Sequence, residues 1–184
     1  MECRRSKLLI GALIILLGLG TLSACFSGGW QTTSISTPES VQITARIVEI
    51  HAGFDKSFAI MEDRGLWAWG IFGGDFSGVT NDNRHTPAII MDDIIAVGTG
   101  ESFRLVVKSD GTLWAWGVNR YGQLGDGTTM QQFSPVMIIG DVIAVSAGDY
   151  HSMAITTDGT LWTWGSNFDG KLGDGTTEDR HSPV

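Results

Sequence analysis

Few of the reactive side chains in this sequence stand at spacings that chemistry uses. The four histidines, His51, His85, His151 and His181, are scattered, and there is no His-Glu-x-x-His, no Gly-x-Ser-x-Gly and no glycine-rich phosphate loop. No catalytic residue is assigned, and neither a metal nor a cofactor is expected. Asp126 and Asp174 each lie in Gly-Asp-Gly-Thr-Thr. A lone carboxylate there lacks the roughly six to eight oxygens that Ca²⁺ takes, so turn capping is the better reading. Asn119 and Asn167 read as turn formers too. What the residue types do support is recognition. Phe54, Asp55 and Lys56, then Glu101 and Phe103, then Asp149, Tyr150 and His151 mix aromatics with charge at matching places along the chain, and Arg120, Tyr121, Phe168 and Asp169 form a second such set. Exposed aromatics with arginine are common anchors of protein interfaces. These twelve are the binding candidates, the alternative being that they only pack one structural unit on the next.

One thiol is placed for modification. Arg4, Arg5 and Lys7 precede an apolar run, 8–20, that is too short to span about 30 Å of hydrocarbon comfortably, which is the pattern of a secretory signal. It ends Leu22-Ser23-Ala24-Cys25, which resembles the lipobox of bacterial lipoproteins. The resemblance implies cleavage before Cys25, lipid on its sulfur, and an exported protein held at the bacterial cell membrane or cell surface. A plain signal peptide or an uncleaved membrane anchor is the alternative. Loss of Arg4, Arg5, Lys7 and Glu2 with 1–24 takes the formal charge from -8 to -10. Cys3 goes with them, so the exported domain has no disulfide. The Ser/Thr/Gly-rich 25–42 has no period of 2 or 3.6 and reads as a lipidated Cys25 on a flexible tether that carries Trp30.

The elements that must position the candidates come from a repeat. Twenty-five glycines with only 17% charged residues describe a turn-dense β protein, and 42% apolar residues are enough for a core. Net negative charge excludes a nucleic-acid partner, because phosphate binding rests on clustered Lys and Arg. Leu66-Trp67-Ala68-Trp69-Gly70, Leu113-Trp114-Ala115-Trp116-Gly117 and Leu161-Trp162-Thr163-Trp164-Gly165 recur 47 and then 48 positions apart. Gly53, Gly100 and Gly148 keep step, each after a short apolar strand. Asp-Gly in 109–112 and 157–160 predicts hairpins, both residues tolerating positive φ. Two Trp two apart face the same side of a sheet, where they pack neighbouring sheets together. The loop 119–132 is too Gly-rich for a helix, and a strand is expected to follow with Pro135 as its first residue.

Four short strands in each repeat of about 48 residues predict an all-β fold of β-propeller blades: three four-stranded antiparallel repeats, an incomplete propeller. The repeats are assigned to 43–93, which is degenerate, 94–141 and 142–184, the last short of its C-terminal strand. The first has Glu62-Asp-Arg-Gly65 for the Asp-Gly-Thr turn, and Ile71-Phe-Gly-Gly-Asp-Phe-Ser-Gly78 for the Asn-x-x-Gly-x-Leu-Gly string.

The string Ile-Ala-Val-x-x-Gly, then His-Ser-x-Ala, then Asp-Gly-Thr-Leu-Trp-x-Trp-Gly-x-Asn-x-x-Gly-x-Leu-Gly-Asp-Gly resembles the repeat of the regulator of chromosome condensation family, over roughly 43–184. The resemblance implies a rigid frame that presents variable loops to a partner. In the nuclear branch it implies exchange on a small GTPase and docking on nucleosomes, which an exported acidic chain fits badly. A secreted bacterial branch uses loop aromatics against an enzyme and is the nearer parallel. The expectation is thus a non-catalytic, lipid-anchored module that binds a protein or a cell-surface glycan. An exchange-factor-like regulator, or the first part of a larger surface enzyme, is the alternative. Since the family closes seven blades, the chain is expected to be part of a longer protein, with self-association into six blades as the other way to complete a ring. An open arc is expected to expose the Trp-lined face of both its first and its last sheet.

Overall fold

The structure is a computed structural model, and it describes residues 46–72 and 82–184. The signal, Cys25, the tether with Trp30 and most of the degenerate 71–78 string lie outside the described residues. The described residues belong to one compact unit and are all-β, with no helix among them and hence none there long and apolar enough to cross a membrane.

Eleven strands follow in chain order: β1 (Ile47–Ala52), β2 (Lys56–Met61), β3 (Leu66–Phe72), β4 (Asp82–Met91), β5 (Ile94–Thr99), β6 (Phe103–Lys108), β7 (Leu113–Gly117), β8 (Gln132–Ile139), β9 (Val142–Ala147), β10 (His151–Thr156) and β11 (Leu161–Gly165). They pair with their sequence neighbours into three antiparallel sheets, β1 to β4, β5 to β8 and β9 to β11. Such up-and-down order needs only hairpins, which the short turns supply. Beyond β11 the backbone pairs Gly165 with Arg180 and Thr163 with Val184, through bonds of 2.7–3.1 Å. These repeat the pairs Gly117–Gln132 and Ala115–Val136 of the second sheet, so the third sheet's fourth strand is begun in the same register.

The turns differ from the expectation in one respect. Gly111 and Gly159 have φ of 82° and 85°, whereas Asp110 and Asp158 do not enter the left-handed region. The Asp instead accepts from the residue two places on: Asp110 Oδ1 takes the Thr112 N–H at 2.9 Å and its hydroxyl at 2.6 Å. In the first repeat Arg64, at φ 67°, occupies the glycine's place. Pro135 differs as well. β8 begins three residues before it, and Pro135 sits at the register shift between Ala115–Val136 and Gly117–Gln132, where a missing N–H costs no ladder bond.

Two apolar clusters hold the sheets face to face. Phe58, Ile60, Leu66 and Ala68 of the first sheet meet Ile94, Val97, Val106 and Trp116 of the second. Leu105, Val107, Leu113 and Ala115 of the second meet Val142, Ala154 and Trp164 of the third. The second and third blades thus turn their Trp faces toward the preceding blade, and the first and second turn their Leu-rich faces toward the following one. This corrects the expectation for the last sheet: Trp164 is fully buried, and the face left open there carries Ile155 and Leu161.

Candidate binding site

The loops that carry the candidates lie at one end of all three sheets: the β1–β2, β5–β6 and β9–β10 connections with the long segments after β7 and β11. Each long segment is built around a buried asparagine. Asn119 donates from Nδ2 to Asp126 Oδ1 and to the Thr128 carbonyl, both at 3.0 Å, and its Oδ1 accepts the Leu124 N–H at 2.9 Å. Asn167 repeats this with Asp174, Thr176 and Leu172 at 3.0–3.1 Å. Leu124 and Leu172 are buried as plugs. The two Asn are therefore hubs whose bonds reach across nine residues, more than the turn formers expected from sequence. Asp126 and Asp174 are their acceptors: burial pushes the Asp126 carboxyl up, but bonds from Thr128, Gln132 and Asn119 outweigh it and hold the group below its ordinary value. The Thr176 hydroxyl and the Arg180 guanidinium, at 2.7 Å, lower Asp174 further. Among the described residues no group of three or more His, Cys, Asp or Glu could hold a metal ion.

This frame displays what lies between its fixed points. Tyr121 is 40% and Phe168 79% exposed, with Arg120 and Asp169 also at the surface. Gln123 Oε1 accepts the Tyr121 N–H at 2.9 Å. The Tyr121 ring meets the Tyr150 ring edge to face, centroids 5.4 Å apart, so a loop of the second blade is joined to one of the third. The Tyr150 hydroxyl bonds the Glu101 carboxylate, which holds the phenol above its ordinary value, and the Glu101 N–H reaches the Asp149 carbonyl at 3.4 Å. Two clefts flank this knot. One, of about 340 Å³, runs between Glu101, Arg120, Tyr121, Asp149 and Tyr150. The other, of about 280 Å³, is lined by Gly53, Phe54, Thr99, Glu101, Asp149 and Tyr150. Phe54 is 84% exposed at its rim.

The remaining candidates are placed elsewhere. Phe103 is buried, folded back over Gly100 so closely that a Cβ there would lie 2.0 Å from its ring. His151 folds over Gly148 in the same way and is half-buried, with its pKa lowered by burial and by Lys171. Lys56 is buried too, its Nζ 3.1 Å from Asp55. Burial and the neighbouring Arg104 lower its pKa, and Asp55 opposes them. Phe103 and Lys56 are therefore internal, which corrects their assignment as binding residues. Gln123 was missed: it is buried, it holds Tyr121, and its carbonyl accepts from Ser152 Oγ at 2.7 Å and Trp164 Nε1 at 2.9 Å. Met130 and Phe133, 70% and 67% exposed, were missed as well. They stand where the third repeat has Glu178 and His181, so the criterion of variation between repeats would have found them.

Comparison with known proteins fits this architecture. The regulator of chromosome condensation (RCC1) repeat matches 110–155, and a second description of the same repeat matches 94–123 and 142–171. The E3 ubiquitin-protein ligase HERC2 of Homo sapiens is 30% identical over 90 residues, which are 45% of this chain and 2% of that protein. Human WBSCR16 superposes with a TM-score of 0.64 at 24% identity, over 76% of this chain and 39% of that one. Yeast RCC1 (Prp20), in a crystal structure with Kap60 bound, superposes with a TM-score of 0.62 at 20% identity, over 76% and 36%. The chain thus spans a small part of each relative, and the structural likeness is one of fold: RCC1-type β-propeller blades. Residues 94–171 of this chain match the regulator of chromosome condensation (RCC1) repeat.

Proposed function

We propose that this chain is a lipid-anchored propeller module, exported and held at the bacterial cell membrane or cell surface through Cys25, that binds a protein partner at its loop end and does no chemistry of its own. The observation that carries the reading is the Tyr121–Tyr150 pair, two exposed aromatics from different blades fixed against each other between two clefts. A rigid aromatic loses little conformational freedom on binding, which is why such residues anchor interfaces. Proteins on this frame do bind other proteins: the yeast relative is described with Kap60 bound, and Prp20p of Saccharomyces cerevisiae with its binding to Gsp1p and histones. What carries over is the mode of use, and the partner here is one met outside the cytoplasm. The anchor rests on Leu22-Ser23-Ala24-Cys25.

Two measurements test this. Affinity capture from an envelope extract compares the wild type with Tyr121→Ala/Tyr150→Ala/Phe168→Ala, whose sites are exposed enough to leave the fold intact. Loss of one specific partner in the variant is expected, and equal recovery sinks the site. Labelled palmitate is expected on the wild type and absent from Cys25→Ser. A wild type that stays unlabelled, and that protease added to intact cells does not touch, sinks the anchor.

A further inference from the structure

A further cleft, of about 290 Å³, opens at the other end of the sheets from the candidate loops, between the β8–β9 turn and the β10–β11 hairpin. Asp141, Thr156, Asp158 and Trp162 line it with Ile139, and no lysine or arginine does. In the second blade the chain itself puts a cation at the corresponding place. Lys108 stands where the third blade has Thr156, and its Nζ lies over the Trp114 ring, 5.1 Å from the centroid. Bonds from Thr112 and, behind them, the charge on Lys108 hold the Asp110 carboxyl below its ordinary value. Trp114 and Asp110 correspond to Trp162 and Asp158. Asp93 and Asp141 correspond too: both are in the left-handed region, φ 62° and 58°, and their carbonyls accept the Ser109 and Thr157 N–H groups at 2.7 Å. The two places therefore share a backbone, an aromatic wall and carboxylates, and differ in the cation. Thr156 instead ties the third blade's wall together, its hydroxyl donating to Asp158 Oδ1 at 2.7 Å and accepting the Trp162 Nε1–H at 3.3 Å. The lining residues all come from the second and third blades. At the corresponding place the third blade packs on the second and yet leaves Asp110 exposed and Lys108 and Trp114 half-exposed, so a neighbouring blade does not close a cleft in this position.

We propose that this cleft receives the side-chain ammonium of a lysine on a partner protein, seated over Trp162 beside Asp158 and Asp141 as Lys108 is seated over Trp114. An indole face is the best aromatic partner for a cation, and carboxylates accept the ammonium N–H groups as charge-assisted bonds. The cleft is smaller than the roughly 300–1,000 Å³ pockets that hold whole small molecules, which suits one side chain. Each contact is modest at a surface, so the cleft adds specificity to an interface rather than carrying it alone.

The test follows the indole N–H signals of the full chain, labelled with nitrogen-15 in its tryptophans, by nuclear magnetic resonance at constant ionic strength. The probe is Nα-acetyl-lysine methylamide, and Trp162→Phe assigns the signal. The Trp162 signal is expected to move saturably with the probe, half-way at about 10–100 mM for so small a contact, while that of Trp114, already under Lys108, stays. The uncharged norleucine analogue is expected to leave both in place. Asp158→Asn should weaken the response about threefold, and Thr156→Lys, which puts the chain's own ammonium over the ring, should abolish it. The unchanged remaining indole signals show that each variant is folded; where Thr156→Lys disturbs them, Asp158→Asn decides. A Trp162 signal that the lysine probe does not move overturns the proposal. So does an equal response to norleucine, an equal response at Trp114, or full binding in a folded Thr156→Lys or in Asp158→Asn. Choline bound more tightly than the lysine probe would assign the cleft to a quaternary ammonium headgroup and overturn the lysine.

Discussion

Trp164 holds the backbone of Gln123: its indole Nε1 donates a 2.9 Å hydrogen bond to the Gln123 carbonyl, across the junction of the second and third blades, and Ser152 Oγ donates a second at 2.7 Å. Both donors and the residue they hold are buried. Ser152→Ala leaves the acceptor still satisfied and should cost about 1 kcal/mol, while Trp164→Phe, which also leaves a void, should cost about 2–3 kcal/mol. With both changed the carbonyl is orphaned, and the loss should exceed the sum of the single losses by about 1 kcal/mol. Urea unfolding followed by circular dichroism measures all three, and strict additivity would show that the carbonyl finds another donor.

Asn119 should be among the most sensitive positions outside the apolar core. Replacing it by Ala strips the Leu124 N–H and the Thr128 carbonyl of their partners at a site with no exposure, for an expected loss of about 2–4 kcal/mol. The same change at Asn167 should cost a similar amount, since the bond set is the same. Limited proteolysis should then cut the 119–132 segment well before the strands, and a cleavage pattern like the wild type's would contradict the hub role.

The carboxyls of Asp126 and Asp174 are held below their ordinary value in the fold. The folded state therefore binds protons less readily than the unfolded one, whose Asp titrates near about 3.9. Their contribution is fully present at neutral pH and is lost as pH falls below about 4. Asp174→Asn should lower the thermal midpoint at pH 7 and leave a flatter decline below about pH 4 than the wild type shows. Parallel declines in the two proteins would place the acid sensitivity elsewhere.

Arg64 holds a left-handed backbone that its counterparts give to glycine. Its structural bonds there are main-chain ones, from the Arg64 N–H to the Met61 carbonyl and from the Ile94 N–H to the Arg64 carbonyl. Arg64→Gly keeps both and removes the strain of a side chain at positive φ, and should stabilise the first blade by about 0.5–1 kcal/mol. A higher thermal midpoint is the expected reading, and a lower one would mean that the arginine side chain does more than tolerate the turn.

Much of the frame was legible in the residues alone. The 47- and 48-residue spacing of Leu-Trp-x-Trp-Gly and the Asp-Gly turns place strands and hairpins, because both depend on hydrogen bonds between residues close in the chain and on a side-chain period of two. The periodicity also puts paired Trp on one face. Only packing decided which neighbour that face meets: the Trp pairs of the second and third blades look back to the preceding blade, so the last sheet exposes Ile155 and Leu161 instead. The candidate site was legible in part for the same reason. Tyr121, Tyr150, Phe54 and Phe168 stand out as variable residues between fixed landmarks, yet so do Phe103 and Lys56, which turn inward. Variation marks a position free of the frame's local geometry, and whether its side chain then faces water or the adjoining blade is set by the sheet that packs against it, a neighbour about 48 residues away in sequence.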